Sequence, residues 1–197
     1  MIIGVELNGV LRNTLKKIQE EYEKWYIDNP FREEGDFEYK VISPVDSLEL
    51  INHLSFPSKD DLYDFLYKEH TMEIFGHAGS VETSGMYDLN DFYFDVRDEY
   101  DVVIVSDEIG KSKPASLFFI SKFGCQIETI KFYSEPTINS LWDSINVLLT
   151  ANPNLLLNHP EDKIVIKYNT SYNSDIETKY SISSIKELKN KIKEIYA

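Results

Sequence analysis

The sequence holds a single cysteine, Cys125, which excludes an intrachain disulfide and a cysteine-based zinc site within one chain. Cys125 follows Gly124 beside an apolar helical stretch, a context that predicts a buried, inert thiol. Long apolar runs are also absent. None approaches the roughly 18 residues a spanning helix needs, and the start lacks the basic and apolar regions of a secretory signal. Basic residues are scarce: 20 Lys and Arg stand against 34 Asp and Glu, a formal net charge of -14. Such a chain repels phosphate backbones and anionic lipid, so neither nucleic acid nor a membrane is expected as a partner. The acidity is spread along the chain and reads as a solvated surface. A cytoplasmic setting, or an assembly formed there, fits best. The four histidines, His53, His70, His77 and His159, show no paired metal spacing.

What is present suits one good core. The chain has 197 residues, of which 42% are apolar and 27% charged, ordinary values for a globular protein with room for a smaller inserted unit. It opens on a short apolar run, Ile2-Ile3-Gly4-Val5, followed by Glu6-Leu7-Asn8-Gly9-Val10-Leu11-Arg12-Asn13-Thr14. A strand that ends in acid and amide side chains and breaks at glycine puts those side chains at the carboxyl edge of a sheet, where open α/β folds bind ligands. Asn13 or Thr14 then caps a helix with Leu15, Ile18, Tyr22 and Trp25 on one face. Residues 28–44 read as a loop. Helices are expected at 46–54, at 59–74 with Ser58 as cap, and at 87–100, and Gly76, Gly79 and Gly85 read as a flexible connection.

From Asp101 the pattern alternates between short apolar strands and helices. Strands are predicted at 101–106, 128–133, 146–150 and, as the last, 163–168. Helices are predicted at 113–123, 136–145 and, with capping-box form at Ser184 and Glu187, at the end of the chain. This alternation implies a parallel sheet with right-handed crossovers.

The opening stretch resembles the first motif of the haloacid dehalogenase-like (HAD) phosphatases, an apolar strand followed by DxDG[TV]LxDT. In that family the first Asp attacks phosphorus and holds Mg2+, and the second is the general acid/base. Glu6 and Asn8 occupy those positions here. The layout is similar to the small 5'(3')-deoxyribonucleotidases, including relatives carried by phages. Ser106 fits the second motif, a hydroxyl that binds the transferring phosphoryl group. Val147-Leu148-Leu149-Thr150-Ala151-Asn152-Pro153 keeps the strand and proline of the fourth motif, but Thr150 and Ala151 replace both of its metal-binding Asp residues. The Lys of the third motif has no counterpart between Glu135 and Ser140, and Lys113 lies one strand too early. The segment from Lys167 to Asn173 is similar to the nucleotidases' Pro-Tyr-Asn.

The resemblance implies a HAD-like Rossmannoid α/β fold. Its parallel sheet, ordered 3-2-1-4-5, would hold Val5, Val103, Ile130, Leu148 and Ile166, with residues 1–14 and 99–197 as core and 15–98 as a mainly helical cap inserted after the first strand. The chemistry it implies is weakened at several points. A carboxylate one methylene longer shifts an in-line attack by about 1 Å, which can cost on the order of a hundredfold. Asn8 cannot carry a proton, which removes roughly 10²–10⁴. Only Glu6 remains of three carboxylates for Mg2+.

Two functions stay open. One is a catalytically silent structural or protein-interaction component, of a phage-type assembly given the relatives, needing no cofactor and no metal. The other is a weak or divergent Mg2+-dependent nucleotide phosphohydrolase. Asp88-Leu89-Asn90-Asp91 starts like an EF-hand loop, but Tyr93 stands where that loop needs Gly. Of 26 aromatic residues, 16 fall between Tyr22 and Tyr100. Trp25, Tyr26, Phe31, Tyr63, Tyr67 and Phe94 are therefore the candidates for contact with a protein partner or a second copy.

Overall fold

The computed structural model describes residues 1–28 and 48–196. The apolar runs pair into one parallel sheet. Strand β1 is Ile2–Glu6, β2 Asp101–Asp107, β3 Ile130–Tyr133, β4 Val147–Thr150, β5 Ile164–Tyr168 and β6 Tyr180–Ile182, in the order β3-β2-β1-β4-β5-β6. β1 lies between β2 and β4, with Val5 opposite Ile104 and Leu149. Five strands stand in the expected order. The sixth corrects the expectation that the sheet ends at residue 168: Ile182 pairs with Tyr168, and the strand is only three residues long.

Alternation along the strands divides the core into two layers. Ile3, Val5, Val102, Ile104, Val147, Leu149 and Ile166 face helices α3 (Gly85–Val96), α4 (Ser112–Lys122) and α7 (Leu188–Tyr196). Val103, Val105, Leu148 and Val165 face α5 (Ile138–Asp143) and α6 (Pro153–Leu157). Strands buried on both faces read as continuous Val/Ile/Leu runs for this reason. Gly124, at φ +70°, ends α4 in a left-handed turn that L-residues with a Cβ rarely adopt.

The helical insert forms its own cluster. α1 (Thr14–Asp28) contributes Ile18, Tyr22 and Tyr26, which pack with Leu54, Phe65, Leu66, Ile74 and Phe75 and reach the main body at Ala115. α2 (Lys59–Asp64) starts where Ser58 Oγ accepts the Asp61 amide at 3.2 Å. Beyond Asp64 the expected single helix widens into two π-type segments, Phe65–Glu69 and Met72–Gly76. Their His70→Phe65 and His77→Met72 backbone bonds, both 3.0 Å, skip five residues. Only a 3-10 turn, Leu50–Asn52, stands in the described part of the helix expected at 46–54. Gly76 closes the second π segment and Gly85 opens α3, so neither sits in a free connection.

Residues 85–96, within the stretch 15–98 expected as a cap, pack elsewhere than α1. Met86, Leu89, Phe92 and Val96 of α3 join the sheet's core rather than the cluster around Tyr22. Their apolar face goes to the larger surface instead.

Candidate functional site

Glu6 ends β1 at the carboxyl edge, on the same face as Tyr133 of β3 and Thr150 of β4. Its side chain is 1% exposed. Tyr133 donates its hydroxyl proton to Oε1 at 2.8 Å, and Thr150 donates to Oε2 in a short bond. Thr150 Oγ1 in turn accepts the Asn152 amide at 2.9 Å, which fixes the turn after β4. Burial raises the Glu6 pKa to about 7; the two hydroxyl bonds oppose the shift, and the nearby Asp107 charge adds to it.

Asn8 is held just as tightly. Its Oδ1 accepts from Arg12 Nη2 at 2.7 Å and from Thr14 Oγ1 at 2.6 Å, while its amide nitrogen faces Ser106 Oγ and the Asp107 carbonyl at 3.5 and 3.4 Å. The turn that carries Asn8 closes when the Arg12 amide bonds the Leu7 carbonyl at 2.8 Å. Gly9 is required within it. It sits at φ +76°, and a Cβ there would collide with the Tyr172 hydroxyl.

Behind Asn8 lies a buried ion pair. Arg12 and Glu108 side chains are both fully enclosed, with Nη2 to Oε1 at 2.5 Å. Glu108 Oε1 also accepts from Ser106 at 3.0 Å and Ser116 at 2.7 Å, and Arg12 Nη1 donates to Ser116 at 2.6 Å and to the Phe75 carbonyl at 2.7 Å. The guanidinium lies 5.1 Å from the Phe75 ring centre and 5.5 Å from that of Phe119. Burial lowers the Arg12 pKa and the Glu108 charge holds it up. One network thus ties the first turn, the end of β2, α4 and the insert together.

These residues wall a cavity of about 190 Å³ between sheet and insert, lined by Glu6, Asn8, Thr14, Asp107 and Asn152 together with Leu15, Ile18, Leu48, Leu50, Leu66, Tyr67, Phe75 and Tyr172. Among the described residues no Lys, Arg or His lines it. Asp107 is exposed at the mouth. Partial desolvation, then the charges of Glu108 and Glu135, raise its pKa to about 6. Burial raises the Tyr67 and Tyr172 hydroxyls, helped by Asp107 at the first and Glu6 at the second. Tyr67 stacks on Phe75 at 5.5 Å.

Glu6, Asn8, Ser106 and Thr150 therefore converge as their spacing implies. Ala151 is buried beside them, and its carbonyl accepts from Asn173, which also bonds the Tyr168 carbonyl. The donor set does not fit Mg2+. Both Glu6 oxygens and Asn8 Oδ1 already accept bonds from side-chain donors, and Thr150 and Ala151 offer a hydroxyl and a methyl where carboxylates are needed. Among the described residues no cluster of three His, Cys, Asp or Glu could hold a metal ion. Lys113 stays exposed on α4, 5.7 Å above the Phe132 ring.

The aromatic candidates separate. Tyr63 and Phe94 are 43% and 49% exposed. Tyr26 is 4% exposed, within 6.0 Å of Tyr22, so it is a core residue of the insert rather than a surface one. Trp25 stacks on Phe56 at 5.3 Å and is partly buried; Tyr67 lines the cavity. Phe31 lies outside the described residues. Sequence reasoning missed Arg12, Glu108, Tyr133, Asp107 and Tyr172. The available signals were a charged residue four positions after Asn8 and two acids directly after Ser106.

The fold is HAD-like. Solved structures similar to it include a HAD-superfamily hydrolase, subfamily IA, variant 1, from Geobacter sulfurreducens, with a TM-score of 0.56 and 8% identity over 96% of this chain and 97% of that one. A haloacid dehalogenase-like family hydrolase from Xanthomonas campestris matches with a TM-score of 0.54 and 10% identity over 99% and 95%. No protein-family model and no curated protein sequence matches the chain. No helix among the described residues is long and apolar enough to cross a membrane.

Proposed function

We propose that this chain is a catalytically silent HAD-like protein that works by binding, as a structural or protein-interaction component. The observation that carries the proposal is the state of Glu6, whose two carboxyl oxygens accept bonds from Tyr133 and Thr150. An attacking carboxylate must present a free, ionised oxygen to phosphorus, and this one is buried with its pKa raised to about 7. Among the described residues no cationic side chain lines the cavity to neutralise a transferring phosphoryl group. The exposed rings of Tyr63 and Phe94 support a protein-interaction role, and the sequence resemblance to phage-borne nucleotidases supports a phage-type assembly as its setting.

The test is release of phosphate from nucleoside monophosphates and aryl phosphates with Mg2+ present. The rate should equal that of buffer. Saturable, Mg2+-dependent release that disappears in Glu6→Gln would establish instead the divergent nucleotide phosphohydrolase.

A further inference from the structure

The cavity between sheet and insert has the size and lining of a ligand site whose charge preference is opposite to that of a phosphate site. Its volume, about 190 Å³, is enclosed mainly by apolar and aromatic side chains. An apolar protein cavity of about 150 Å³ accepts benzene, so this one has room for a ligand of about one ring. Two carboxyl groups, Glu6 and Asp107, reach it, and among the described residues no basic side chain lines it. Arg12 does not compensate them: it lies behind the wall, spent on Glu108, Asn8, Ser116 and the Phe75 carbonyl. Glu108 keeps one buried oxygen, Oε2, with no hydrogen-bond partner, which leaves further negative potential behind Asp107 and Tyr67. Tyr67 and Tyr172 add ring faces, which attract cations through their quadrupoles. Among the described lining residues, an anion entering here would lose its hydration and meet carboxyls, hydroxyls, amides and hydrocarbon.

We infer that this cavity is a receptor site for a small organic cation, a primary amine carried on about one ring, with the ammonium beside Asp107 and the ring among Tyr67, Phe75, Leu66 and Ile18. The inference rests on the reading of the cleft as catalytically silent. It adds that the site is occupied by a ligand of defined charge.

Calorimetric or NMR titration of the intact chain with benzylamine, benzyl alcohol and phenyl phosphate tests it. Benzylamine should bind saturably, and the neutral alcohol about tenfold more weakly, the loss expected for one charge-assisted contact. Phenyl phosphate should not bind. Asp107→Asn, at the exposed mouth where folding is least affected, should bring benzylamine down to the level of the alcohol. Absence of benzylamine binding, equal affinity for amine and alcohol, an unchanged amine affinity in Asp107→Asn, or tighter binding of phenyl phosphate would each overturn the inference. Phosphate release read in the same samples separates the two proposals. Phenyl phosphate bound but intact refutes only the charge preference, whereas its Mg2+-dependent hydrolysis refutes catalytic silence.

Discussion

Burying a charge costs several kcal/mol unless it is paired and its remaining hydrogen bonds are made, and Arg12 meets that condition by donating to five groups. It joins Glu108, Asn8, Ser116, Thr14 and the Phe75 carbonyl. Asn8 and Ser106, whose positions resemble those of the first two HAD motifs, are members of this network. Removing one partner strands the other charge in the core. Arg12→Met should therefore cost about 3–5 kcal/mol in unfolding free energy measured by urea denaturation, and Arg12→Met with Glu108→Met should recover much of it. A double variant no more stable than the single one would show that the pair is not what matters there. That Glu6, Asn8, Ser106 and Thr150 come together was legible because each lies at or near the end of an apolar strand, and parallel strands bring those ends to one edge. Arg12 and Tyr133 were not, because their partners lie 96 and 127 residues away in sequence, and only the parallel sheet brings them together.

Elements whose pattern is strong in sequence are those the sheet buries on both faces. β1, β2 and β4 fall where the apolar runs place them. β6 escaped because Tyr180-Ser181-Ile182 is short and flanked by Lys179 and Ser183. α3 was legible as a helix, but its packing partner was not, since a 3.6-residue period reveals an apolar face and not what covers it. The π segments were also hidden, because the spacing of Phe65, Leu66, Ile74 and Phe75 does not reveal that hydrogen bonds will skip five residues. Such segments lose regular helical bonding and are frequent at functional sites. These two wall the cavity through Leu66, Tyr67 and Phe75. Local opening is expected to be easiest in this insert, which packs around its own small cluster and whose π segments lack regular helical bonding. Hydrogen exchange should show the His70 and His77 amides exchanging well before those of Val5 and Leu149. Equal protection would mean that insert and sheet open as one unit.

At the scale of the whole molecule, Glu6 ends the central strand of a HAD-like fold and is part of its core. That makes stability depend on pH in a defined direction. The Glu6 pKa is raised from 4.5 to about 7, so the folded chain binds more protons than the unfolded chain between those values. The Glu6 contribution to stability therefore falls as pH rises through that window and is flat above it. The total is on the order of 3 kcal/mol. In Glu6→Gln this part of the slope should vanish. The most direct measurement is a carbon-13 NMR titration of the Glu6 side-chain carboxyl in the folded protein. The account predicts a midpoint near 7, well above an ordinary glutamate. A midpoint at or below 4.5 would mean a carboxylate fully ionised at neutral pH and would contradict it.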